Sequence, residues 1–157
     1  MVTPDRLAFG AGRGPRSLEP TLVIRPLTDR GVEQAGFPVD SPYVEGLWLS
    51  VLGPSATWAL RRLSALAAAR PEGVEVDLAE FGRSLGLGSG SGRSSVISRS
   101  IERLVTFGVA AWDGDALLVR QAVPPLSPRQ LSRLSPALVG LHRRLVAPRT
   151  PEVGVER

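Results

Sequence analysis

Eight polar residues have the types and spacing to do chemistry here: Arg93, Ser94, Ser95, Ser98, Arg99, Glu102, Arg103 and Thr106. All but Arg93, which directly precedes it, share the Ser94 to Phe107 stretch with Ile97, Ile101, Leu104 and Val105, which follow the i, i+4, i+7, i+8 spacing of a buried helix face. The helix this predicts turns Ser95, Ser98, Arg99, Glu102 and Thr106 outward, with Arg93 and Ser94 at its start and Arg103 on its flank. Such a face suits the edges of base pairs. An arginine pairs bidentately with guanine O6 and N7, and serine is short enough to let the backbone come near the groove. Amides at the helix N-terminus can bind a phosphate, and Arg103 can contact another. The same residues also suit a plain solvated or protein-binding face.

Other chemistry is poorly served. The run G-L-G-S-G-S-G-R-S from Gly86 to Ser94 lacks the G-x-x-x-x-G-K-[ST] spacing, has no lysine and follows a helix, so no nucleotide is expected. His142 is the only histidine and is expected on an outward surface beside Arg143 and Arg144; without cysteine it has no companion ligands for a metal site. No nucleophile-elbow motif is present, and Asp113 and Asp115 read as turn residues rather than paired catalytic carboxylates. The expectation is a protein that is not an enzyme and needs no cofactor and no metal.

Charge points to an anionic partner. All 19 basic residues are arginine, the bidentate binder of phosphates, and the formal net charge is +4. From Arg83 to Ala147 nine arginines face three acids, Glu102, Asp113 and Asp115, whereas Glu72, Glu75, Asp77 and Glu80 cluster just before. A basic half of this kind favours nucleic acid. No apolar run reaches the ~18 residues of a membrane span and no signal-peptide stretch is evident, so a cytoplasmic location without membrane contact is expected.

The elements that must position the polar face follow from punctuation. Residues 1–40, rich in proline and glycine, read as a flexible arm; Thr21 to Leu27 is β-prone but interrupted by Pro26, at best a short edge strand, and Thr28 to Val39 reads as irregular. Ser41-Pro42 is a helix start, with Ser41 as cap, for Tyr43 to Leu52. Pro54-Ser55 restarts a helix to Ala69, whose stripe of Ala56, Ala59, Leu60, Leu63, Leu66 and Ala67 is apolar and whose Arg61 and Arg62 face away. Asp77 caps a helix from Leu78 to Leu85, with Glu80 completing a capping-box-like start and Gly86 the stop. After the third helix, Asp113-Gly114-Asp115 joins two strand-like runs into a hairpin. Trp48, Trp58 and Trp112 are expected in the core. Leu131, Leu134, Leu138, Leu141 and Leu145 recur at alternating spacings of three and four, but Ser135-Pro136 splits them into two short helices. They either pack on the domain's own core or form a homodimer seam. The residues after Ala147 are expected to be a disordered tail.

From Pro54 to Val123 this order resembles the winged helix-turn-helix domains of bacterial transcription regulators. In that superfamily a small residue in the second helix lets two helices approach and a glycine four residues on ends it; Gly82 and Gly86 hold that spacing, and Ile97 matches the aliphatic anchor of the third helix. The turn L-G-S-G-S-G-R is longer than usual, and the wing tip, with Asp113 and Asp115, is acidic. The resemblance implies a mainly α fold with a small β-hairpin, a winged-helix domain over residues 41–147 that includes extra helices before and after the winged core. It also implies double-stranded DNA as partner, a role in transcription regulation, and the third helix in the major groove. The alternative is a winged-helix protein-interaction module of a larger assembly.

Overall fold

A computed structural model describes residues 20–90 and 92–148. The expected arm up to Glu19 and the expected tail from Arg149 lie outside the described residues. Among the described residues no helix is long and apolar enough to cross a membrane.

The mainly α architecture is corrected. The fold is α/β, built on a mixed four-stranded sheet. Its strands are β1 (Thr21–Leu27), β3 (Val74–Asp77), β4 (Ala110–Asp113) and β5 (Ala116–Arg120), in the order β3-β1-β5-β4. The hairpin β4–β5 is present, turning through Gly114 at φ +57° with Asp113 opposite Ala116. However, β1 is inserted between β3 and the hairpin, antiparallel to β3 and parallel to β5. Thr21 to Leu27 is therefore an interior strand, not an edge strand on an arm, and its Leu22 and Ile24 are fully buried. Pro26 is tolerated for a local reason. Pairing with β3 ends at Ile24, while pairing with β5 runs on to Leu27, so Pro26 sits where β1 has a neighbour on one side alone.

The stretch expected to be irregular holds a short helix, α1 (Arg30–Ala35), capped by Asp29, and a short strand, β2 (Phe37–Pro38), paired with β6 (Ala122–Val123). A π-helical turn (Val44–Trp48) then runs into α2 (Leu49–Leu52). Ser41 does not cap it: its buried hydroxyl has no hydrogen-bond partner among the described residues.

Helix α3 (Pro54–Ala69) packs on β1 and β5 with one side and on α5 (Val96–Thr106) with another. Ala56, Ala59, Leu60, Leu63 and Ala67 are buried as the stripe predicts, but Leu66 is 37% exposed. Arg61 turns inward, donating to the carbonyls of Val39 (3.2 Å) and Ser41 (3.3 Å), while Arg62 is exposed. Trp48 is buried and donates to the Pro124 carbonyl (3.0 Å), Trp112 is half-buried, and Trp58 is 53% exposed. Only the first of the three tryptophans is a core residue in full.

The last elements are α6 (Pro128–Leu131), with a reciprocal Ser127–Gln130 capping box, and α7 (Pro136–Val146), capped by Ser135. Leu131, Leu134, Leu138, Leu141 and Leu145 all pack against the core from partly buried positions. Leu141 seats on Gly46 of the π-helical turn, where an added Cβ would come within 2.8 Å of its Cδ2. His142 is not an isolated surface residue, because its Nδ1 lies 2.8 Å from the buried Tyr43 hydroxyl.

Candidate nucleic-acid interface

Helix α5 is fixed at both ends by its own sequence. At the start, Ser95 Oγ accepts from the Ser98 amide (3.2 Å). At the end, Val109 N donates to Leu104 O (3.0 Å) and Gly108 N to Val105 O (3.1 Å), a Schellman pair made with Gly108 at φ +72°. Ile97, Ile101 and Leu104 are buried, as the spacing predicts.

The preceding α4 (Leu78–Ser84) is held in the same manner. Asp77 accepts from the Glu80 amide at 2.7 Å, while the Glu80 carboxylate pairs with Arg83 (2.8 Å). Leu87 N to Gly82 O (2.9 Å) and Gly86 N to Arg83 O (3.0 Å) form a second Schellman pair, with Gly86 at φ +72°. Gly82 has no room for a side chain. A Cβ there would stand 2.9 Å from the Gly88 carbonyl oxygen and 3.7 Å from Ile97 Cβ, so its absence lets the turn and α5 close on α4.

Seven of the eight sequence-predicted residues reach the surface at least in part. Arg93 and Ser94 are exposed in the turn before α5; Arg99, Arg103 and Thr106 are exposed along it, and Ser95 and Glu102 are half-buried. Ser98 is the exception. It is fully buried, with its hydroxyl 2.9 Å from that of Ser95, because it lies one helical step from Ile97 at the margin of the apolar face. Thr106 donates its hydroxyl hydrogen to the Glu102 carbonyl (2.8 Å), leaving lone pairs but no donor for a ligand.

The two arginines of α5 converge on a feature that sequence periodicity does not reveal. Arg99 and Arg103, one turn apart, line an open cleft of about 370 Å³ with Val96 and Ser100 on one wall. The opposite wall is the α2–α3 junction, from Ser50 through Gly53, Pro54, Ser55 and Ala56. Arg103 is held there by donation to the Val51 carbonyl (2.7 Å), and its guanidinium lies 5.2 Å from the Phe107 ring centre. Arg99 has no side-chain hydrogen bond or ion pair among the described residues.

The junction is electropositive for a backbone reason. Gly53 precedes α3 at φ +81° and supplies no side-chain cap, so the first-turn amides of Ser55 and Ala56 keep their partial positive charge. Among the described residues no acid lines the cleft. The signal in the sequence was the uncapped Gly53-Pro54 start of a long helix, which becomes meaningful only once α5 is seen beside it. The arrangement can hold an anionic oxygen between two guanidinium groups and a helix N-terminus.

The acidic tip at Asp113 and Asp115 is exposed at the end of the hairpin. Among the described residues no group of three or more histidine, aspartate or glutamate side chains could hold a metal ion. No protein-family model, no curated protein and no solved structure matches the chain.

Proposed function

We propose that this chain binds double-stranded DNA through α5 and the cleft beside it, acting as a regulator of transcription. The observation that carries the reading is the convergence of Arg99 and Arg103 on the uncapped start of α3, in a cleft that no acid among the described residues lines. A backbone phosphate fits that cleft. With α5 in the major groove, Arg99 reaches from the cleft's edge toward a guanine and Ser95 lets the backbone approach, while Arg103, anchored on Val51, neutralises the phosphate.

Amide chemical shifts followed during titration with a random-sequence duplex test this placement. Changes concentrated on Ser55, Ala56, Val96 and Arg99 support it. Changes confined to α7, or none, remove it.

A second reading, a protein-interaction module within a larger assembly, is favoured by one observation. Trp58 and Leu66 expose an apolar stripe on the outer face of α3, 53% and 37% accessible. Under that reading DNA leaves the amide spectrum unchanged.

A further inference from the structure

A second groove, of about 320 Å³, opens between α3, β3 and α4, on residues the DNA reading does not use. Leu66 of α3, Phe81 of α4 and Val74 and Val76 of β3 give it apolar walls. β3 is an edge of the sheet, and its pairing with β1 fixes which backbone groups lie open. The Leu78 amide donates to the Pro20 carbonyl at 2.9 Å, in step with the pairs Leu22–Val76 and Ile24–Val74. Bonded and non-bonded pairs alternate along an antiparallel ladder, so Glu75 and Asp77 fall on the non-bonded positions. The Glu75 amide and carbonyl and the Asp77 amide therefore point away from β1, toward the open edge.

The two faces beside that edge differ in chemistry. Val76 lies opposite the buried Leu22 and shares with Val74 the face on which α3 packs. Glu75 belongs to the other face. It is exposed and has no ion-pair partner among the described residues, and neither has its neighbour Glu72. Arg25 on β1 is turned to the Glu72 carbonyl (3.3 Å) rather than to a carboxylate. On the groove side, Arg62 at the α3 rim disfavours a second cation.

We propose that the β3 edge takes an extended segment of a partner protein in which apolar and basic residues alternate. As an added strand it pairs with the Glu75 amide and carbonyl. Its apolar residues enter the groove along Leu66 and Phe81, and its basic residues meet Glu75 and Glu72 on the other face. A second copy of this chain is a poorer occupant. Joining two β3 edges about a two-fold axis sets Glu75 and Asp77 against the same residues of the other copy, and facing like charges destabilise a strand pair. Helices α5 and α7, which carry the chain's own exposed arginines nearest in character, have their backbone groups bonded internally and offer no strand to an edge.

The probe is a short end-blocked peptide alternating arginine and valine, titrated into the isotope-labelled full chain at low salt. The expected result is amide shifts centred on Val74, Glu75, Val76 and Ser84, with slower hydrogen exchange at the Glu75 amide, the mark of a strand added there. Glu75→Arg should weaken binding by about tenfold or more through like charge. Leu66→Gln should weaken it by about fivefold through lost apolar contact, and Arg99→Ala should leave it unchanged. Leu66 and Glu75 are both exposed, and unchanged Ile24 and Leu117 signals verify that the fold is kept. A peptide of the same composition with its arginines and valines in separate blocks should bind far more weakly. Equal binding of the block peptide reduces the contact to bulk charge and overturns the proposal. Shifts centred on α5, an unprotected Glu75 amide, or no binding at all overturn it too. Sedimentation of the chain alone supplies the last arm: a dimer that Leu66→Gln dissociates assigns the edge to a second copy, which also overturns it. No DNA is present in any arm, so the outcome is independent of the proposed function.

Discussion

Tyr43 and His142, 99 positions apart, are joined by a 2.8 Å hydrogen bond between the phenolic oxygen and Nδ1. The Leu126 amide donates to the same oxygen at 2.8 Å, and Phe37 stacks on the ring with centroids 3.8 Å apart. Because the oxygen already accepts from Leu126, the arrangement that uses the phenolic hydrogen sends it to His142 Nδ1 and leaves the ring proton on Nε2. One buried tyrosine thus ties α7, the segment before α6 and the β2 region to a single point.

Removing that hydroxyl should be costlier than removing its histidine partner. Tyr43→Phe strands the buried Leu126 amide as well as His142, which predicts a loss of about 1–3 kcal/mol. His142→Ala leaves Tyr43 and Leu126 paired and should cost about 1 kcal/mol. Urea unfolding of both variants checks the order; equal losses would contradict it.

The same tyrosine sets an alkaline limit. Burial raises its pKa above the ordinary value of about 10, against a smaller opposing effect of the Leu126 amide. A raised folded value means that its stabilisation is fully present below pH about 10 and is lost as pH rises through the folded value. Thermal unfolding between neutral and strongly alkaline pH should show that decline, and Tyr43→Phe should flatten it.

Asp29 works in the acid direction. The Val32 amide, helped by Arg120 and the Gly31 amide and opposed by desolvation, lowers its pKa. A lowered folded value gives stabilisation that is present above the usual carboxylate range and is lost as pH falls through the folded value. Asp29→Asn should remove a small acid-side dependence of the melting temperature, and an unchanged pH profile would contradict this.

Gly82 and Gly86 should respond differently to alanine. At Gly82 the new Cβ meets the Gly88 carbonyl at 2.9 Å, so the turn or α5 must shift, at about 1–3 kcal/mol. At Gly86 there is open space, but φ is +72°, so the cost is conformational and about 1 kcal/mol. Paired denaturation curves check this, and perturbed signals along α5 should appear in Gly82→Ala alone.

Much of the region around α5 was legible because its determinants are local. The spacing of Ile97, Ile101 and Leu104 and the stops at Gly86 and Gly108 each act within a few residues, whereas Ser95, expected on the outward face of a helix from Ser94, is instead its cap. The architecture was not legible, because the sheet depends on β1 joining β5 in parallel across most of the chain, and Pro26 argued against a strand until its one-sided position was known. Arg61 and Trp58 exchanged their expected environments for a related reason. Backbone carbonyls of Val39 and Ser41, remote in sequence, draw the arginine in, while Trp58, its ring centre 5.5 Å from that same guanidinium, stays 53% exposed. Within the site, helical periodicity found Arg99 and Arg103 but not the α3 N-terminus they face.

The arginines divide the work of binding in a way that mutation can separate. Arg99→Ala should weaken binding by about 1–3 kcal/mol and relax selectivity at one position, as expected for a base contact. Arg103→Ala should weaken binding evenly across sequences and reduce the salt slope by about one, as expected for a phosphate contact.

Binding of DNA by α5 and its cleft is tested by fluorescence anisotropy of labelled random-sequence duplex DNA with the full chain across a salt series. Binding should weaken linearly in log–log form as salt rises, with a slope that counts the neutralised phosphates and falls in Arg103→Ala. No binding at low salt, or binding with no salt dependence, would contradict it.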